Sequence, residues 1–261
     1  MKTLLLIGLT IAACATPPDA DHASAEVHSG LPEDGAAPSN AEIWLEAIEQ
    51  RAREIKTLTA EVAYDRYQQL KGDEQHRFGT LAYQAGQPAR FMIHFDRMID
   101  NGRKRRQDER WIFDGFWLAQ RNDKDKILIR YQLVRHGRPP KDALELGTGP
   151  LLLPLNMKKE VVLSRYDVTV QVEEQLHLHL VPRDSAQMKL TEIDLWYDLD
   201  TLLPQRFRSL EGGSGYESIA HLKEVVLNEE LNDVSFDTTK PPRGQWTIEE
   251  RLLPEQPPPH Q

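Results

Sequence analysis

The chain has 261 residues, a formal net charge of −9 at pH 7 and a single cysteine. The acidic balance excludes a general nucleic-acid binder, which needs a basic face, and one cysteine excludes an internal disulfide. A mean hydropathy of −0.56 describes a water-soluble body long enough for one sizeable core.

Lys2 precedes an apolar run, Leu4 to Ala13, that ends at Cys14. A basic tip, an apolar stretch of about 7–15 residues and small residues at its end make a secretory signal. The run is shorter than the roughly 20 apolar residues that span a bilayer. Ile11-Ala12-Ala13-Cys14 resembles the bacterial lipoprotein signal, in which cleavage exposes a cysteine that is acylated. The alternative is a plain signal peptide that happens to carry a cysteine. Residues 1–14 are thus expected to be a lipoprotein signal with its lipidation site, and residues 15–38, rich in Pro, Ala and Asp, a flexible linker. The protein is expected to be exported to the cell envelope and anchored through Cys14. Ala15, in place of an aspartate associated with inner-membrane retention, favours the outer membrane facing the periplasm.

Ser39 and Glu42 form a capping-box pattern. The helix predicted after it places Ile43, Trp44, Ala47, Ile48, Ile55 and Leu58 on one stripe. From Thr59 the period changes to two. Predicted strands include Ala60–Tyr64, Phe78–Tyr83, Phe91–Phe95, Trp111–Phe113, Trp117–Ala119 and Ile127–Leu133. Lys141–Leu153 breaks the rhythm as a short helix ending near Pro154. Strands resume at Val161–Val172, Leu176–Pro182, Thr191–Tyr197, Gln205–Leu210 and Tyr216–Leu227. Residues 251–261 read as a disordered Pro-rich tail.

The fold class is mainly β with one leading helix. About ten strands at hairpin spacing favour one antiparallel sheet, and one amphipathic helix cannot cover both faces of a sheet that size. The sheet must curl into a half-open barrel, with the helix as lid or plug over an apolar inner face. Residues 39–250 form this domain.

Several motifs then occur in order. They are Gly79-Thr80-Leu81-Ala82-Tyr83, Gly86-Gln87-Pro88-Ala89-Arg90-Phe91 and Phe113-Asp114-Gly115-Phe116-Trp117. Leu178-His179-Leu180-Val181-Pro182, Ile193 to Asp198 with Leu202-Leu203-Pro204, and Phe236 with Pro241-Pro242-Arg243-Gly244 follow. This series resembles the LolA/LolB-like superfamily of bacterial outer-membrane lipoprotein carriers, in a divergent, longer form. Gln87 stands where those carriers place an arginine that helps hold the lid, so that latch does not transfer. The resemblance implies a non-enzymatic lipoprotein whose cavity takes acyl chains of a lipid or lipoprotein, in carriage or reception. The alternative is an envelope sensor or interaction module on the same fold that binds a regulatory partner protein.

The expected cavity residues are Trp44, Ile48 and Ile55 on the leading segment, and Phe91, Ile93, Phe95, Trp111, Leu178, Leu195 and Tyr197 on strands; singly each is expected to fill a dry core, and the container reading rests on the set together. His177 and His179 share a strand face and could begin a zinc site, but the flanking leucines are expected to face the core and leave the histidines in solvent. Arg103-Lys104-Arg105-Arg106 reads as a solvated loop, or as a contact for anionic headgroups. Asp194, Asp198 and Asp200 gather around a hairpin. No nucleophile elbow, phosphate loop or zinc-protease motif is present, so neither catalytic residues, metal nor cofactor are expected.

Overall fold

In a computed structural model, the described residues are 39–134, 154–155, 157–184, 189–231, 234, 236–242 and 244–253. The signal with Cys14, the 15–38 linker, the helix expected over Lys141–Leu153 and tail residues 254–261 lie outside them.

The leading helix α1 (Asn40–Glu54) begins at the expected capping box. The Ser39 N–H donates to Glu42 Oε2 at 2.5 Å, and the Glu42 N–H donates to Ser39 Oγ at 3.2 Å. Such a cap is worth about 1 kcal/mol. The helix stops at Glu54, so Ile55 is its C-cap and Leu58 lies in a strand. Its buried residues are Leu45 and Ile48, whereas Ile43, expected on the buried stripe, is 53% exposed.

The strands are β1 (Thr57–Gln68), β2 (Asp73–Gln84), β3 (Arg90–Asp100), β4 (Arg103–Phe113), β5 (Trp117–Asn122) and β6 (Ile127–Gln132). After helix α2 (Lys159–Arg165) come β7 (Tyr166–Val172), β8 (Leu176–Pro182), β9 (Leu190–Tyr197), β10 (Pro204–Glu211), β11 (Tyr216–Leu227) and β12 (Thr247–Arg251). They make one 12-stranded, curled and unclosed sheet in the order β12-β6-β5-β4-β3-β2-β1-β11-β10-β9-β8-β7. Every pairing is antiparallel except β12 beside β6.

Three elements differ from the sequence expectation. Val161-Val162-Leu163 lie in α2, not in a strand, because tertiary contact overrides the strand preference of the two β-branched valines. Val162 is buried in the core, the Lys159 N–H donates to Glu49 Oε2 at 2.9 Å, and Lys159 Nζ donates to Glu46 Oε2 at 2.6 Å, both on α1. The basic run Arg103–Arg106 is the start of β4 rather than a loop. It pairs with Arg97–Asp100 through the backbone, which asks nothing of the side chains. Strand β12, absent from the expected set, is short and carries three charges in five residues, a pattern with no apolar alternation to find.

Period-two alternation puts one face of the sheet against α1 and α2. That inner face carries Leu58, Ala60, Val62, Leu81, Tyr83, Phe91, Ile93, Phe95, Phe113 and Leu118 on one side of the β1–β11 seam. Leu222, Ala220, Phe207, Leu195, Leu178 and Leu180 continue it on the other. A smaller outer core joins Ile112, Ala119 and Leu128 to Met92, Phe236, Trp246 and Ile248, where the C-terminal segment crosses the outer face.

Two of the recurrent motifs meet in space. Gly115 sits at φ 104°, a left-handed conformation suited to glycine, and a Cβ there would fall 2.0 Å from Pro88 Cγ. Asp114 beside it accepts from the N–H groups of Phe116 and Trp117, each at 2.8 Å, and from the hydroxyl of buried Thr238. The turn therefore ties the Pro88 loop and the C-terminal segment together.

Candidate functional site

The inner face is where the expected cavity residues come together. Ile48, Ile55, Phe91, Ile93, Phe95, Leu178, Leu195 and Tyr197 are buried members of one cluster, with Trp44 and Trp111 half-buried at its margin. Protein side chains occupy this space: Leu45 and Ile48 from α1, Val162 from α2, and Leu155 and Met157 from the segment before α2. The Tyr197 hydroxyl donates to Met157 Sδ at 3.8 Å, and complete burial pushes its pKa well up.

The insert made by α1 and α2 is held by polar ties at its surface. Besides the Lys159 contacts, Arg51 Nε donates to the Thr201 carbonyl at 3.0 Å. Lys159 and Glu46 strengthen each other, their hydrogen bond raising the lysine pKa and lowering that of the carboxyl. Exposed ties of this kind contribute little each.

Further along the strands the same face turns polar. Glu109, in phase with Trp111 and Phe113, is 5% exposed and accepts from Trp111 Nε1 and Gln120 Nε2, both at 2.8 Å. Arg77 Nη1 lies 3.5 Å from its carboxylate. Beyond them Tyr64 donates to Ser218 at 3.0 Å and Arg66 lies 4.0 Å over the Tyr216 ring. A two-residue count back from Phe113 places Glu109 inward, so alternation alone could have found this polar end.

Leu176, Leu178 and Leu180 are fully buried on the inner face as expected, but on the outer face His177 and His179 do more than face solvent. His177 Nε2 donates to Asp194 Oδ1 at 2.9 Å and His179 Nδ1 to the same oxygen at 2.8 Å. Arg208 Nη1 donates to Asp194 Oδ2 at 2.8 Å, and its Nε to Glu217. Burial opposes ionisation of Asp194, but the hydrogen bonds from His179, His177 and Arg208 outweigh it and hold the carboxyl below its ordinary value. Asp194 is thus separate from Asp198, which caps its turn by accepting from the Thr201 N–H and hydroxyl, each at 2.8 Å. Among the described residues no group of three or more His, Cys, Asp or Glu side chains is placed to hold a metal ion.

Solved structures with a similar course include an uncharacterized conserved protein from Thermus thermophilus, at 11% identity and TM-score 0.46, covering 82% of this chain and 100% of that one. The MucA/MucB complex of Pseudomonas aeruginosa gives 14% identity and TM-score 0.41 over 75% of this chain and 59% of the other. A LolA superfamily protein from Nitrosomonas europaea gives 11% identity and TM-score 0.35 over 71% and 94%. No family model matches the sequence, and no curated protein does. These likenesses concern the fold; the function has to be read from the chain's own geometry.

Proposed function

We propose that the inner face binds the acyl chains of a lipid or lipoprotein, and that the protein is a non-enzymatic envelope lipoprotein anchored through Cys14. The observation that carries this reading is a broad apolar sheet face that, among the described residues, is roofed by two helices and a short segment, with exposed polar ties at their surface.

The energetics allow an exchange. Withdrawing Leu45, Ile48, Leu155, Met157 and Val162 forfeits roughly 2 kcal/mol each, or about 10 kcal/mol. Inserting a chain of about sixteen carbons at ~0.8 kcal/mol per methylene returns a similar amount. The insert and an acyl chain can therefore compete for one face at near balance, which suits a protein that must both take up and release its cargo.

Tryptophan positions supply the test. Trp44 and Trp111 face the inner cluster, while Trp117, Trp196 and Trp246 lie on the outer face. Single-tryptophan variants of the full chain, titrated with a brominated long-chain fatty acid, should show quenching at Trp44 and Trp111 alone. Quenching confined to outer tryptophans, or none at saturating ligand, would overturn the proposal.

A further inference from the structure

Strand β10 does not stay beside β11 along its whole length. Their pairing runs from Leu210↔Glu217 to Arg206↔His221 and stops, while β11 continues against β1 to Leu227. Two features open this notch. Pro204, at the start of β10, has no N–H to give a ladder. In β11, Glu224 adopts φ 49° where the register with β1 slips by one residue opposite Thr59–Glu61, a bulge that bends the strand away.

The notch is a pocket of about 700 Å³. Arg206, His221 and Lys223 line it with Leu203, Pro204 and Val225, and the β9–β10 turn closes one side. Two acids line it: Asp198 is already spent on Thr201 and on Gln205 Nε2, the latter at 3.2 Å, and Glu224 is exposed at the bulge. Arg206, by contrast, has no carboxylate partner among the described residues, and its Nε is buried without any acceptor. Its guanidinium is held 4.3 Å over the Trp196 ring, and His177, from the strand on the other side, stacks with that ring at 4.6 Å and 2°. A cross-strand row of His177, Trp196, Arg206 and His221 thus fixes the arginine in place. A pre-set planar fork is the arrangement that recognises an oxyanion, because little side-chain freedom remains to be lost.

We propose that this outer-face notch binds a phosphate group, with Arg206 as its principal ligand and Lys223 and His221 beside it. The apolar wall of Leu203, Pro204 and Val225 leaves room for an organic substituent. The local field agrees. Burial depresses the His221 pKa, Arg206 and Lys223 depress it further, and only Asp65 opposes them. A bound dianion would offset that positive field and draw a proton onto the imidazole.

The experiment is an NMR titration of the full chain, reading the His221 ring signals and pKa. Inorganic phosphate and phenyl phosphate test a small soluble ligand; phosphatidylcholine vesicles with and without phosphatidic acid test a lipid headgroup. The expected result is saturable movement of the His221 signals and a raised His221 pKa with one of these sources. Arg206→Met should weaken binding at least about tenfold and Lys223→Met severalfold. Both should leave the melting temperature and acyl quenching of Trp44 unchanged, which separates this site from the inner face. His221 signals that stay unmoved with every one of these phosphates, or binding equally tight in Arg206→Met, overturn the proposal.

Discussion

Replacing Asp194 by alanine should destabilise the protein by about 2–3 kcal/mol. The carboxylate is 8% exposed and accepts three hydrogen bonds, from two imidazoles and a guanidinium. A hydrogen bond to a charged group contributes roughly 1.5–3 kcal/mol, and a fully buried network of three would exceed the figure given. The donors, however, retain side-chain exposures of 22%, 36% and 23%, so water recovers part of what each loses. For a domain of this size that corresponds to a fall on the order of 5–10 °C in melting temperature. Asp194→Asn keeps the shape and removes the charge. Because the folded-state pKa is lowered, the charge contributes stability fully above the ordinary carboxylate value of 3.8 and loses it as pH falls through the folded value. Denaturant melts of wild type and Asp194→Asn should therefore differ most at neutral pH and converge under acid. A cost below about 0.5 kcal/mol for Asp194→Ala, or a gap to Asp194→Asn that widens in acid, would refute the reasoning.

Other outcomes follow from single contacts. A Cβ at position 79 would meet His94 O at 1.8 Å and Phe95 Cα at 2.8 Å, both backbone, so Gly79→Ala should cost about 3 kcal/mol or more in a chemical melt. His76 donates to Asp65 at 2.7 Å and contacts Glu74 at 2.5 Å. Burial lowers its pKa, but the two carboxylates prevail and raise it. The stabilisation is then complete below the ordinary histidine value of 6.5 and is lost as pH rises through the folded value. His76→Gln should thus be more costly in melts at mildly acidic pH than in alkaline ones. If the proposed anchoring through Cys14 holds, Cys14→Ser should abolish incorporation of labelled palmitate and move the protein from the membrane fraction to the soluble one.

How much could be read from the residues depended on whether a signal was local. Ser39 and Glu42 announced α1, and alternation along Phe91-Met92-Ile93-His94-Phe95 set the inner face correctly. Gly79 and Gly115 fall in the motifs singled out in the sequence, and in space backbone or a proline ring lies where their side chains would be. What could not be read was set at a distance. The α2 helix owes its form to Glu46 and Glu49, more than a hundred positions earlier. The Asp194 cluster needs β8, β9 and β10 in one exact register, which hairpin spacing leaves open. The notch at Arg206 depends on a bulge in β11 that only its register with β1 reveals.

Among the described residues β12 is the one strand that pairs in parallel, and this has a consequence for assembly. Thr247–Arg251 docks on Ile127–Gln132, so that edge of β6 stays bare until residues 247–251 are available. Until then Ile127 and Ile129 present an unsatisfied backbone edge, the kind that recruits neighbours into aggregates. Once seated, Glu249, Glu250 and Arg251 replace it with a charged border that discourages further addition. The finishing strand therefore acts as a stopper, and a nascent chain cut short before Thr247 should be far more prone to self-association than the whole protein.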